Sequence, residues 1–72
     1  MTTEVLIFKT RINKRGIENA IFWNKPAREI ENRIEHCVAT IEVALRLTKM
    51  TKEEAEQLFD LQDELRDLYN EI

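Results

Sequence analysis

Apolar residues recur at alternating steps of three and four through the middle of the chain: Ala27, Ile30, Ile34, Cys37, Ile41 and Ala44. That spacing puts them on one stripe of a helix, widened by Val38 and Leu45. Pro26 suits a first helical turn, where its missing N–H costs nothing. No breaker follows before residue 49, so a helix is predicted over 26–49, roughly 36 Å long at 1.5 Å per residue. Thr51-Lys52-Glu53-Glu54 then has the form of a capping box. It opens a second helix over 52–72, with Leu58, Leu61, Leu65, Leu68 and Ile72 as its stripe and Ala55 and Tyr69 beside them. The link between the two is short, so they should fold back as an antiparallel hairpin.

The first 23 residues follow a different pattern. TEVLIFKTRI, residues 3–12, is dense in β-branched and aromatic types and reads as a strand. Asn13-Lys14-Arg15-Gly16 reads as a turn. Residues 17–23, IENAIFW, read as a return strand, although Ile17, Ala20 and Ile21 also fit a short helix. The expected fold is therefore α+β in one domain over 1–72. An N-terminal β-hairpin or single strand over 1–23 precedes the long helical hairpin.

The helix over 26–49 carries a second apolar stripe, Ala39, Val43 and Leu47, on the side away from Ile30, Ile34 and Ile41. A helix apolar over so much of its girth is usually buried on several sides. A chain of 72 residues is at the margin of independent stability. These two facts predict self-association through Ile34, Ile41, Val43, Leu45 and Leu47, giving a four-helix core shared by two copies. Phe59, off the leucine stripe, fits the same expectation.

Charge adds a polarity. The net charge is −3. Residues 1–25 carry Lys9, Arg11, Lys14, Arg15 and Lys25 against Glu4 and Glu18, a net of +3. Residues 52–72 carry eight acids against Lys52 and Arg66, a net of −6. Such an arrangement permits head-to-tail attraction within or between chains. A single cysteine suits a reducing compartment, nothing at the start reads as a signal peptide, and Val5-Leu6-Ile7-Phe8 is too short to span a membrane. A soluble cytoplasmic protein with no membrane association is expected.

Candidate chemistry is sparse. His36 and Cys37 are adjacent, but neighbours on a helix diverge by about 100° and do not face each other. Cys37 lies in the main apolar stripe, where free cysteine acts as a small hydrophobe. One His and one Cys are too few for a zinc site. The acids Glu56, Asp60, Asp63 and Asp67 lie opposite the leucines. They lack the paired EExxE and ExxD motifs with which all-helical nucleotide pyrophosphatases hold Mg²⁺. The di-iron Glu-x-x-His pattern also fails, since Arg33 precedes His36 by three. A solvated face, or one that docks on a basic partner, is the simpler expectation. No catalytic residue, metal or cofactor is assigned, and the protein is not expected to be an enzyme.

Lys9, Arg11, Lys14 and Arg15 would cluster at the tip of the β-hairpin. A small dimer with a strand before two helices resembles ribbon–helix–helix repressors in outline, which would imply a β-ribbon in the DNA major groove. The extra segment, the long helices and the absence of glycine between them depart from that pattern. The acidic second helix also opposes DNA, so nucleic acid is not the favoured partner. The expected function is a non-catalytic, homo-oligomeric protein–protein interaction module. It would be an adaptor or inhibitor of the kind found among phage and mobile-element accessory proteins. A dimeric nucleic-acid-binding regulator is the alternative.

Overall fold

The computed structural model describes residues 2–72, and these fold into helices joined by short turns. Helix α1 spans Thr3–Phe22, α2 spans Ala27–Leu47 and α3 spans Lys52–Tyr69. No strand occurs among the described residues. The expected α+β fold, with its β-hairpin over 1–23, is therefore corrected to an all-helical one.

The physical reason lies in what α1 buries. Its inward positions are Thr3, Ile7, Thr10, Ile17 and Ala20, with the half-buried Lys14 between the two halves. These follow the helical three-and-four rhythm, but three of the six are polar. Val5, Phe8 and Ile12 point outward instead. The helical period was thus hidden, while the outward residues supplied a β-like composition. Thr10 is reconciled with burial locally: its hydroxyl donates to the Leu6 carbonyl at 2.7 Å. At the N-terminus the Thr2 hydroxyl caps the helix, accepting the Val5 N–H at 3.2 Å.

The expected turn at Asn13-Lys14-Arg15-Gly16 is continuous helix, and Gly16 has no positive φ. The chain reverses instead at Asn24, whose φ of 54° is left-handed. The Lys25 N–H donates to the Ala20 carbonyl and the Asn24 N–H to that of Ile21, at 3.0 and 3.1 Å. That pair is a Schellman motif with asparagine in the place glycine usually takes. Pro26, whose carbonyl accepts the Glu29 and Ile30 N–H groups, starts α2.

The other two helices match their pattern. α2 buries Ile30, Ile34, Cys37 and Ile41. The capping box of α3 is formed, with Glu54 N–H to Thr51 Oγ1 at 3.1 Å and Thr51 N–H to Glu54 Oε1 at 2.9 Å. α3 buries Leu58, Leu61, Gln62 and Leu65. The buried Gln62 donates to Glu42 of α2 at 3.4 Å.

The three helices close one core in a bundle 37 Å long and 17 Å across. α1 runs parallel to α3, since Arg11 meets Gln57 and Lys14 meets Glu64. It runs antiparallel to α2, since Leu6 lies by Val43 while Gly16 lies by Arg33. The core of one chain thus holds three helices, α1 among them, where two from each copy were expected to supply it. α1 packs against α2, and Ile34 and Ile41 are only 2% and 0% exposed within a single chain.

Candidate interaction surface

Residues at α1 positions 5, 8 and 12 lie within about 60° of one another at 100° per residue, centred away from the core stripe. Val5, Phe8 and Ile12 are 42%, 65% and 55% exposed. On α2, Val43 and Leu47 are exposed at 55% and 81%. Both groups sit at the same end of the bundle. Leu6, Thr2 and Thr3 share a hollow of about 210 Å³ with Val43, Ala44 and Thr48. An apolar belt thus runs from Phe8 over Val5 and the half-buried Leu6 to Val43 and Leu47. Val43 and Leu47 lie on the α2 side of this belt, while Phe8 lies at its α3 edge, sharing a hollow of about 560 Å³ with Glu4 and Arg11 of α1 and Glu53, Glu54 and Gln57 of α3.

Further along the same face lies a groove of about 610 Å³, with Ile12 and Gly16 on one wall and Arg33 and His36 on the other. Gly16 widens it. A Cβ built there meets no atom within 4 Å, so packing does not require the missing side chain. A mid-helix glycine costs about 0.5–1 kcal/mol relative to alanine. At the far end, Phe22 and Trp23 pack edge to face with centroids 5.3 Å apart, yet both are exposed.

The residues expected to drive self-association divide. Ile34 and Ile41 are spent on the core and Leu45 is half-buried against it. Val43 and Leu47 alone are free to meet another molecule. Sequence reasoning missed Val5, Phe8 and Ile12 as their companions. The one signal that could have found them is the buried series 3, 7, 10, 14, 17, visible only if threonine and the lysine stem are admitted as core residues.

The acids Glu56, Asp60, Asp63 and Asp67 form an exposed ridge along α3, about 180° from Leu58, Leu61 and Leu65. None of the four has an ion-pair partner among the described residues. Phe59 stands beside the ridge, on the flank toward α2 that also carries Gln62 and Arg66, and is 53% exposed. The described residues contain no cluster of His, Cys, Asp and Glu able to hold a metal ion.

The basic residues do not gather at a tip. Arg11 donates to Gln57 Oε1 and Lys14 pairs with Glu64, both at 3.0 Å, so these two turn onto α3. Lys9 and Arg15 are exposed on α1 and about 120° apart, flanking the apolar stripe. The hairpin tip proposed to contact nucleic acid is absent, and its four cations are divided between an internal and an external role.

His36 and Cys37 diverge as helix geometry requires. Cys37 is buried in the core, and burial pushes its thiol above the ordinary value. A thiol so disposed is a packing group, since the thiolate is the reactive form. His36 is exposed in the groove wall, its carbonyl accepting the Thr40 hydroxyl at 2.8 Å. No helix among the described residues is long and apolar enough to cross a membrane.

No family model, curated protein or solved structure matches the chain.

Proposed function

We propose that the protein is a non-catalytic interaction module whose α1–α2 face binds other protein surface, a second copy of the chain first of all. The observation that supports this is the apolar belt of Val5, Phe8, Ile12, Val43 and Leu47, left outside a core that is already closed. Leaving a large aliphatic or aromatic side chain in water forgoes about 1.5–3 kcal/mol of burial. Contiguous apolar surface of this kind marks a site of association. A standard interface takes about 800 Å² from each partner, a modest share of the 5420 Å² this chain exposes. Adaptor and inhibitor roles both follow from such a surface.

Light scattering across a dilution series tests the reading. The wild-type mass should rise above 8.6 kDa with concentration. The double substitution Val43→Ser, Leu47→Ser should hold it at the monomer without loss of helicity. A wild-type chain that stays monomeric at about 1 mM, a Kd worth only about 4 kcal/mol, overturns it.

A further inference from the structure

A knob and a hollow stand at opposite ends of the α1–α2 face. The knob is Trp23, 71% exposed, which borders the face beside Gly16 and Glu29. The hollow, about 210 Å³, lies between Leu6 of α1 and Val43 and Ala44 of α2. The core and α3 close the other side of the α1–α2 seam, so knob and hollow open the same way. Along α1 the residues of this face are arranged symmetrically about position 14. Val5 and Trp23 are each nine residues from it, Lys9 and Asn19 five, Ile12 and Gly16 two. All six fall within about 80° of one another at 100° per residue.

A second copy laid antiparallel on this face, centred at that level, sets Trp23 against Val5 and the hollow, and Ile12 against Gly16. Gly16 has open space where a side chain would stand, so an isoleucine from outside finds room there. Trp23 is about 13.5 Å from the centre at 1.5 Å per residue. A helix crossing of about 20°, common for packed helices, carries it about 5 Å sideways, from the ridge of α1 over the hollow. Charge agrees with this register. Lys9 of one copy comes level with Asn19 of the other, which shares a hollow with Glu29. The two Lys9 are about 15 Å apart, beyond the Debye length of about 8 Å at physiological salt. Arg33, the cation at the centre of the face, is engaged by Glu29 of its own chain at 3.8 Å. The face measures 37 Å by 17 Å, about 630 Å² in projection (37 × 17), near the roughly 800 Å² that each partner gives to a standard interface. A parallel arrangement fails on shape, since it lays indole over indole and hollow over hollow.

Resting on the reading that the chain self-associates, we propose that two copies pack antiparallel through their α1–α2 faces, Trp23 of each filling the Leu6–Val43 hollow of the other and Ile12 of each lying over Gly16. The contact is isologous, so assembly closes at a twofold dimer. The missing side chain at position 16, which the chain's own packing does not require, is thereby put to use.

Sedimentation of the full chain should plateau at twice 8.6 kDa. Gly16→Leu separates a fitted contact from general stickiness. Leucine is the better helix former and its Cβ meets no atom of its own chain, so helicity and melting in dilute solution should not fall. Added apolar bulk would strengthen an unselective contact. Here it fills the space that Ile12 of the other copy needs, and dimerisation should weaken about tenfold. Trp23→Ala should weaken it by about thirtyfold or more. Orientation is read by mixing isotope-labelled wild type with unlabelled chain that carries a nitroxide at Lys25→Cys in a Cys37→Val background. The nitroxide should broaden the Val43 and Leu47 methyls of the labelled copy and spare the Ala20 methyl. Broadening of Ala20 instead, or tighter dimerisation of Gly16→Leu, overturns the antiparallel contact and leaves self-association standing. A wild type monomeric at about 1 mM overturns both and gives the face to a different protein.

Discussion

Helices α1 and α2 are nearly equal in length and pack on the same core, yet they use their sequences in opposite ways. α2 puts Ile30, Ile34, Cys37 and Ile41 inside, an apolar stripe without interruption. α1 puts Thr3, Thr10 and the stem of Lys14 inside, alongside Ile7, Ile17 and Ala20, and leaves Val5, Phe8 and Ile12 in solvent. Exchanging the two faces of α1 would not improve its core, since the outward set includes Lys9 and Arg15. The difference teaches that exposed apolar side chains on α1 belong to a second surface, one that the chain does not cover by itself.

The largest effect should come from the core shared by all three helices. Ile41→Ala leaves a cavity at a position with no exposure and should cost about 2–5 kcal/mol, read from urea unfolding. Val43→Ala, two residues on, should change monomer stability by no more than about 0.5 kcal/mol. Equal costs would place Val43 inside and break the contrast.

Within α1, Thr10→Val should stabilise by about 1 kcal/mol. The Leu6 carbonyl keeps its helical N–H partner, so nothing is left unpaired when the hydroxyl goes. Gly16→Ala should add about 0.5–1 kcal/mol, raising Tm by several degrees, because the new methyl meets open space. A loss of stability in either variant would mean that α1 is not packed as described.

The smallest effect concerns Cys37. Its pKa is raised by burial, so the folded state favours the neutral thiol. The associated stability is complete below the unfolded-state pKa and declines as pH rises from there toward the folded value. Cys37→Val should remove that alkaline decline, as followed by thermal melts across the alkaline range.

How much of this was legible without the structure depends on the helix. The α2 stripe, the capping box at Thr51 and the leucines of α3 were readable because each buried position is apolar and each boundary has a specific chemistry. The apolar excess at Val43 and Leu47 was also readable, though Ile34 and Ile41 were assigned to a partner when the chain's own α1 covers them. α1 itself was misread. Threonine at 3 and 10 and lysine at 14 broke the apolar period, and Gly16 imitated a turn that Asn24 supplies instead. With the hairpin gone, the basic tip went too, and Arg11 and Lys14 became internal partners of α3.

Solvent exposure of the isoleucine methyls in α1, measured by NMR with a soluble paramagnetic probe at high dilution, bears most directly on this inverted helix. Ile7 and Ile17 should be protected and Ile12 strongly relaxed, with helical chemical shifts running unbroken through Gly16. Protection of Ile12 with relaxation of Ile7, or extended shifts over residues 3–12, would contradict it.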